Sequence, residues 1–422
     1  MMVAVAWLRR RLYPLLATVG LIAFGMGSST WWGPHLAGSS AWALPHDLWG
    51  TLVAARRLLH LDLGGLYTPP TGLVTFPGAA VILIPAVAVI EAAGLSLRIP
   101  GPHYPHPAAW LIAGPYQIAL SATALFAADA LAERLGAAWP KRLLLAAASA
   151  FALWSVSVQW GHPEDAVAVA LLLYAILALS DGRDARSAWL AGAAVAVQPL
   201  VLLALPFILV VLEPRRLAPY LARTAAPTVL TVSVAAAANW HATFTALTSQ
   251  PNWPAIDHRT PWTPLAAHLS GGAVAAGPAR VIAIIMACGC AYGVGRRWHA
   301  EPVLIPWDPR PLTAVLWWSA LALALRCVLE PVMVAYYVWP ALAVALVAAA
   351  AASWWRLATT GIVADTLTKV SQFDWRGPWI WWATMVAGLA LALLVARYPW
   401  PAGAAGRPPS LPRVQERTSE LG

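Results

Sequence analysis

Apolar residues occur along this chain in long runs that are separated by short polar or charged segments. A transmembrane helix needs about 20 consecutive apolar residues, because the hydrocarbon core of a bilayer is about 30 Å thick. The pattern therefore predicts an all-α polytopic membrane protein with about 10–12 transmembrane helices. The apolar runs lie near residues 13–30, 73–95, 108–131, 143–159, 165–180, 188–212, 217–238, 273–295, 311–328, 332–352 and 378–397.

The segments between these runs predict the orientation of the chain. Three arginines precede the first run, and basic residues favour the cytoplasmic side, so we expect a cytoplasmic N-terminus. Two longer polar stretches, 31–72 and 239–270, then fall on the outer side. We expect a single membrane-embedded domain over residues 1–400 and a disordered tail over 401–422, which is rich in Pro, Gly and Arg.

Three basic segments constrain this orientation. They are Lys141-Arg142, the run 181–186 and Arg215-Arg216. Simple alternation of spans cannot place all three in the cytoplasm, so one segment between 73 and 212 must be short, paired or re-entrant. Gln198-Pro199 marks a candidate break, because proline interrupts a helix.

Composition and charge support a membrane protein and exclude other classes. Of the 422 residues, 60% are hydrophobic and 11% are charged, and the mean hydropathy is +0.66. A soluble domain has about 25% charged residues, so a soluble protein is excluded, as is a disordered one. The net charge is +9, but the arginines lie in pairs between apolar runs, which is typical of cytoplasmic loops and not of a nucleic-acid groove. All but two of the 27 basic residues are arginine, which with the abundant alanine indicates a GC-rich bacterial genome. We therefore expect a multi-pass protein of the bacterial plasma membrane.

Acidic residues are few, and their positions identify the candidate sites. The chain has 18 of them. An ionisable residue in or next to the membrane is costly, which makes it a functional candidate. Those that fall on or near the predicted outer side are Asp47, Asp62, Glu164, Asp165, Asp257 and Glu330.

Asp47 opens a segment, residues 47–61, whose leucines and alanines recur at helical spacing. This pattern predicts an amphipathic helix on the outer surface of the membrane. Asp47 is then either the N-cap of that helix or a catalytic carboxylate held at its start, beside His46.

A second cluster reads Gly-His-Pro-Glu-Asp at 161–165 and precedes the apolar run 165–180. Proline suits the first turn of a helix, and acidic side chains there favour the helix dipole. A structural role explains one acidic residue more easily than it explains the group of His162, Glu164 and Asp165, so both roles stay open.

The third cluster contains Arg326 and Glu330, four residues apart on one helix face. They form either an internal ion pair or part of a phosphate site, since the planar fork of arginine binds two oxygens. Tyr336 follows closely, and His258 lies next to Asp257 in the second outer stretch. We include these residues among the candidate substrate-binding groups.

Tryptophan is abundant, with 25 residues. An interfacial belt explains many of them, but a flat indole also stacks on sugar rings. The two outer stretches contain Trp31, Trp32, Trp42, Trp49, Trp253 and Trp262. Their positions fit a carbohydrate site or a belt equally.

The order of the motifs resembles a known superfamily. An outer loop with Asp47 is followed by Tyr67-Thr68-Pro69-Pro70, Thr75-Phe76-Pro77, GHPEDAVAVALLLYAILAL, a short arginine loop and AGAAVAVQPLVLLALP. Over residues 1–345 this order resembles the GT-C superfamily of integral-membrane glycosyltransferases, and within it the bacterial, including actinobacterial, polyprenyl-phosphate-mannose-dependent mannosyltransferases.

The resemblance implies a reaction and roles for individual residues. Asp47 would be the general base that takes a proton from an acceptor hydroxyl as its oxygen attacks the anomeric carbon with inversion. The donor would be a polyprenyl-phosphate sugar, with mannose expected, and the acceptor an envelope glycolipid or polysaccharide. Glu164 or Asp165 matches a second acid of many relatives, and Arg326 is assigned to the donor phosphate on its chemistry.

The chain departs from the family pattern at two positions. Many relatives have two adjacent acids where Asp47 stands alone, and often a lysine where this chain has Gln198. These departures put the sugar, the acceptor and the activity itself in doubt. We expect no bound metal and no cofactor. Two other classes stay open: a lipid-linked-sugar flippase or transporter, and a non-catalytic scaffold of envelope assembly.

Overall fold

The computed structural model describes residues 10–69, 71, 73–98, 106–300, 309–373 and 377–397. Within them the chain is mostly helical, and the prediction of an all-α polytopic membrane protein is confirmed. The predicted tail lies outside the described residues. Among the described residues, eight helical runs are long and apolar enough to cross a membrane: Leu12–Leu36, Trp110–Arg134, Trp139–Trp160, Pro163–Ser180, Pro214–Ala238, Gly277–Trp298, Pro309–Leu329 and Gly377–Ala396.

The helices are numbered in chain order. They are α1 (Leu12–Gly27, extended by a π turn Ser28–Trp32 and the turn Gly33–Leu36), α2 (His46–Leu59), α3 (Gly78–Val81), α4 (Ile84–Ala92), α5 (Trp110–Ser121), α6 (Thr123–Arg134), α7 (Trp139–Trp154), α8 (Pro163–Ser180), α9 (Asp184–Val197), α10 (Leu205–Leu209), α11 (Pro214–Ala238), α12 (Trp240–Ser249), α13 (Gly277–Ala300), α14 (Pro309–Leu329), α15 (Trp339–Ala350), α16 (Trp354–Val370) and α17 (Gly377–Ala396). The short strands are β1 (Pro251–Asn252), β2 (His258–Arg259), β3 (Val274–Ala275) and β4 (Val332–Met333), and β1 pairs antiparallel with β3 and β2 with β4.

Ion pairs join the helices at one end of the bundle, which we name the arginine end. Arg11 before α1 and Arg142 at the start of α7 both bind Asp129 of α6 at 2.7 Å. Arg216 at the start of α11 binds Asp184 at the start of α9 at 3.0 Å. These contacts fix which ends of the helices lie together.

The opposite end, named the His162 end, holds the longer connections. Helix α2 lies there with its apolar face buried, including Leu48 and Leu52, as its amphipathic pattern predicts. Asn239 caps α12 and donates a hydrogen bond to the carbonyl oxygen of Gly64 at 3.1 Å. This bond joins the two long polar stretches of the sequence.

Two predicted membrane runs are interrupted, and neither forms one continuous helix across the bundle. The run 73–95 is divided into α3 and α4, and Glu91 of α4 returns to bind Arg56 of α2 at 2.7 Å. The run 188–212 breaks at Gln198, because the following proline has no N–H with which to continue α9. Gln198 reaches the His162 end, while α9 and α11 both begin at the arginine end. These two interruptions let the three basic segments of the sequence share one end.

Alanine-rich helices form the centre of the bundle. Nearly every residue of α15 is buried, and so are most residues of α8. Small side chains allow membrane helices to approach closely and gain dispersion energy. The packing holds the first turn of α8, with Glu164 and Asp165, among the ends of its neighbours at the His162 end.

Candidate functional site

A histidine links two carboxylates at the His162 end. His162 Nε2 lies 3.0 Å from Asp47 Oδ2, and His162 Nδ1 lies 2.5 Å from Glu164 Oε1. Pro45 occupies the N-cap position of α2, and no side-chain cap bond is present there. The carboxylate of Asp47 is therefore engaged by a distant segment of the chain and does not cap its own helix.

The backbone before His162 brings its ring onto α2. Helix α7 ends in a π turn, Ser155–Trp160, and Gly161 follows with φ = +66°. A Cβ at this glycine would lie 2.9 Å from Leu48 Cβ, so only glycine permits the close approach. Pro163 then begins α8, where a missing N–H has no cost.

Aromatic rings fix the plane of the imidazole. The ring of Tyr336 stacks on that of His162 with centroids 4.0 Å apart and planes 25° apart, and Trp160 lies 5.7 Å from Tyr336. Tyr336 belongs to the 3₁₀ turn Ala335–Val338, which follows β4 and is buried. This predicted substrate-binding residue therefore contacts the histidine directly.

Opposing electrostatic effects set the charge of the site. Burial by itself lowers the pKa of His162, but the charges and hydrogen bonds of Glu164 and Asp47 outweigh it and raise the pKa to about 10. Burial acts to raise the pKa of Asp47, yet its hydrogen bond to His162 and the charge of that ring hold it below the ordinary value. At neutral pH an imidazolium therefore lies against an ionised Asp47.

Asp165 makes a separate set of contacts. Its Oδ1 accepts a hydrogen bond from Gln198 Nε2 at 2.7 Å, and Gln198 Oε1 accepts one from Thr75 Oγ1 at 3.2 Å. The break after α9 and the segment before α3 thus meet at the first turn of α8. Irregular backbone at membrane depth is tolerated where it is buried in protein or lines a polar cavity.

Buried polar atoms near this turn lack hydrogen-bond partners. Among the described residues, Glu164 Oε2, Asp165 Oδ2 and Arg326 Nε have none. Roughly 90% or more of buried polar groups in native structures are satisfied, so each exception requires an explanation. A site that receives a polar ligand is one such explanation.

Arg326 and Glu330 belong to a larger charged group. The guanidinium of Arg326 lies over the ring of Tyr337, 3.6 Å from its centroid, and Nε is 3.5 Å from Glu330 Oε2. Glu330 is bound more closely by Arg280 at 2.5 Å, and Asn252 donates to it at 3.1 Å. The ion pair anticipated from the i, i+4 spacing is present, but the closest partner of Glu330 comes from α13.

Hydrogen bonds hold the connection between α12 and α13 against the end of α14, next to this charged group. Thr260 Oγ1 donates to the Glu330 carbonyl oxygen at 2.8 Å, and Trp262 Nε1 donates to that of Val328 at 2.6 Å. The ring of His258 stacks on Trp381 of α17 with centroids 4.0 Å apart. Side-chain and ladder contacts therefore hold this loop at the His162 end.

Asp257 lies in the same loop, and the charge of Asp47 affects its pKa. Burial, followed by the negative charge of Asp47, raises the pKa of Asp257 to about 6, while His162 opposes the shift. Asp257 directly precedes His258, which pairs with Met333 in the β2–β4 ladder, and Met333 lies three residues before Tyr336, whose ring stacks on His162.

The structure brings most of the predicted site residues together. Asp47, His162, Glu164 and Tyr336 are in direct contact, and Arg326 acts electrostatically on Asp165. His46 is exposed, with Nδ1 at 3.8 Å from Asp47 Oδ1, and His258 lies against α17.

Sequence reasoning missed several contributors to the site. Thr75, Gln198 and Arg280 are absent from the predicted substrate-binding groups, because their partners are distant in the sequence, and Tyr337 is absent although it follows Tyr336. Arg280 carried a usable signal, since it is a charged residue inside an apolar run. Gln198 carried another, since it stands beside the proline that breaks α9.

The described residues contain no group of three His, Cys, Asp or Glu side chains placed to hold a metal ion. Fold and site together define a polytopic membrane protein with a buried histidine–carboxylate cluster at the ends of its helices. No protein-family model matches this chain, and no curated protein matches it. A function must therefore be argued from the geometry.

Proposed function

We propose that the protein is a membrane glycosyltransferase that moves a sugar, mannose by expectation, from a polyprenyl-phosphate donor to an envelope glycolipid or polysaccharide. The observation that carries the proposal is the contact of His162 with both Asp47 and Glu164 at the end of the bundle opposite the one named the arginine end. By the positive-inside rule the arginine end and the N-terminus are cytoplasmic, so the site is on the outer side of the bacterial plasma membrane.

Asp47 is suited to act as the general base. Its side chain is 46% exposed, so an acceptor hydroxyl can reach it. His162 occupies Oδ2, and Oδ1 is left to receive the proton. The acceptor oxygen bonds to the anomeric carbon, its proton passes to Asp47, and the bond from that carbon to the phosphate oxygen breaks with its electron pair going to the phosphate. Attack from the face opposite the phosphate inverts the configuration.

The lowered pKa of Asp47 is compatible with this role. Glycosyl transfer passes through a transition state of oxocarbenium character. As the acceptor oxygen bonds to such a carbon, its proton becomes strongly acidic, so a weak base is sufficient to receive it. The negative charge of Asp47 also favours the positive charge that develops on the sugar ring.

Arg326 and the α8 carboxylates support a donor subsite. The guanidinium of Arg326 is buried and stacked on Tyr337, and among the described residues its Nε makes an ion pair with Glu330 at 3.5 Å but no hydrogen bond. A planar fork in this state suits a phosphate. Glu164 Oε2 and Asp165 Oδ2 are acceptor atoms that suit sugar hydroxyls.

A transporter of lipid-linked sugars is the second candidate, and the interrupted helices favour it. The break at Gln198 and the segment before α3 meet beside Asp165, and transporters often build binding sites from broken helices. The acidic residues lie in the first turns of α2 and α8, however, and not at mid-helix, which favours chemistry at the membrane surface.

Transfer of radiolabelled mannose from polyprenyl-phosphate-mannose by the purified protein in liposomes tests the proposal. We expect Asp47→Asn to reduce transfer on the order of 10²-fold or more, because it removes the base with little change in shape. The matched control is Asp62→Asn, since Asp62 lies after α2 and pairs with Arg57 at 3.8 Å. Transfer that survives in Asp47→Asn would exclude Asp47 as the base, and movement of the labelled lipid between leaflets without transfer would favour the transporter.

A further inference from the structure

Trp253 and Asp257 share one tight turn in the loop between β1 and β2. The backbone N–H groups of Ile256 and Asp257 both donate to the carbonyl oxygen of Trp253 at 3.0 Å. Trp253 is 39% exposed. The turn therefore places an exposed indole and a carboxylate four residues apart in one backbone turn.

The structure distinguishes Trp253 from the other tryptophans of the two long stretches. Trp49 is buried, Trp42 is half-buried, and Trp262 is anchored by its bond to the Val328 carbonyl oxygen. Trp240 is exposed on α12, where its ring stacks on that of Phe244. Trp31 and Trp32 are exposed, but they belong to the apolar helical run Leu12–Leu36, where lipid contact explains them. Trp253 is exposed on a loop instead, where a membrane span does not explain it.

The carboxylate of Asp257 makes no contact that stabilises the fold among the described residues. The described residues supply neither a hydrogen bond nor an ion pair to it, although Asp47 and His162 are near enough to shift its pKa in opposite directions. Two like charges held close to each other destabilise a structure, so such pairs are typical of functional sites.

Contacts on both sides hold the turn in place. Before it, Asn252 donates to Glu330 Oε1 at 3.1 Å, and after it His258 pairs with Met333 in the β2–β4 ladder. Met333 lies three residues before Tyr336, whose ring covers His162. The turn is thus fixed beside the Asp47 site by structure that also supports the site.

We propose that the Trp253–Asp257 turn binds the acceptor sugar, with a pyranose ring stacked on Trp253 and one of its hydroxyls donating to Asp257. An aromatic face combined with a few placed polar groups is how small-molecule sites orient their ligands. This inference rests on the proposed function, because it takes the bound pyranoside as the group whose neighbouring hydroxyl faces Asp47. Binding itself requires no donor and no catalytic base.

Saturation-transfer NMR on the detergent-purified protein with methyl α-D-mannopyranoside as the probe tests the subsite. We expect wild type to bind the probe, Trp253→Ala and Asp257→Asn each to weaken binding at least about tenfold, which is about 1.4 kcal/mol, and acyclic mannitol not to compete. Trp31→Ala is the matched control, since Trp31 is 65% exposed on α1 and is expected to leave binding unchanged.

The outcomes separate this inference from the proposed function. Absence of binding to wild type, or equal binding by wild type and both loop variants, would overturn the subsite. Should Trp253→Ala fail to fold, as its melting temperature would reveal, the nearly isosteric Asp257→Asn decides the matter. Binding by wild type and Asp47→Asn, lost in the loop variants, together with absence of sugar transfer, would uphold the subsite and overturn the transferase.

Discussion

The two ends of the bundle both hold buried charged groups, but they differ in how completely the polar atoms are paired. At the arginine end both oxygens of Asp129 are satisfied, since Oδ1 accepts from Arg142 at 2.8 Å and Oδ2 accepts from Arg11 and Arg142 at 2.7 Å. At the His162 end, Glu164 and Asp165 each keep one buried oxygen without a partner among the described residues.

Under the proposed function, the difference separates charges that stabilise the fold from charges that bind a ligand. A buried ion pair repays its desolvation only if its remaining hydrogen bonds are made, which the arginine end achieves. A partly satisfied network costs stability, and the protein keeps one at the His162 end, where a ligand would complete it. We therefore expect variants at the two ends to alter different measured quantities.

The largest change in stability is expected from Asp129→Asn. Removing this carboxylate leaves Arg11 and Arg142 without their buried partner, which costs about 3–5 kcal/mol. Thermal unfolding in detergent measures it, and sugar transfer per folded molecule should be unchanged. Glu133→Gln is the control, because Glu133 also binds Arg11 at 2.7 Å but is 35% exposed, so its cost should stay below about 1 kcal/mol. Equal melting of the two variants would contradict this assignment.

His162→Gln tests the opposite end. Glutamine can still donate to Asp47, but it carries no charge and cannot bridge to Glu164, so we expect kcat to fall about 100-fold, equivalent to about 2.7 kcal/mol in the transition state. Because His162 acts through Asp47 as a positioning residue, the KM for acceptor should stay nearly constant. His60→Gln is the control directly after α2, where His60 is exposed and binds Glu91. A KM effect with unchanged kcat would assign His162 to substrate binding instead.

Gly161→Ala should have a smaller effect on both the free energy of unfolding and the rate of sugar transfer. The position has φ = +66° and no room beside Leu48, so alanine strains the backbone by about 1–2 kcal/mol and shifts His162, and we expect transfer to fall about tenfold. Gly182 has nearly the same φ, +72°, but a Cβ added there would meet nothing within 4 Å. Gly182→Ala should therefore cost similar strain but leave transfer intact, and parallel losses in the two variants would refute the positional argument.

The smallest expected effect is that of pH. The pKa of His162 is raised above 6.5, so its ionic contribution is fully present below pH 6.5 and is lost only as pH rises through about 10. The pKa of Asp47 is lowered below 3.8, so its contribution is present above that pH and is lost as pH falls through the lowered value. At saturating acceptor, kcat should therefore be flat from pH 7 to 9. A change of kcat with pH within that range, with a midpoint typical of a histidine, would show that the ion pair between the His162 imidazolium and Asp47 does not form.

The sequence predicts the fold class well because the length of an apolar run is a local property. It also identifies Asp47, Glu164 and Asp165, because acids are rare in such a chain. It does not predict that His162 bonds to both Asp47 and Glu164, since the contact with Asp47 joins segments 115 residues apart. The run 73–95 is long enough to cross the membrane, but it is divided into α3 and α4 and returns to α2 through Glu91, a tertiary contact that hydropathy does not encode.

The central claim is that the charges at the His162 end serve chemistry and those at the arginine end serve the fold. The most direct test is to measure sugar transfer per folded molecule and melting temperature for Asp47→Asn and Asp129→Asn side by side. We predict that Asp47→Asn loses transfer about 100-fold or more with a nearly unchanged melting temperature, and that Asp129→Asn shows the reverse. Wild-type transfer by Asp47→Asn, or loss of its activity only in proportion to loss of folded protein, would contradict the account.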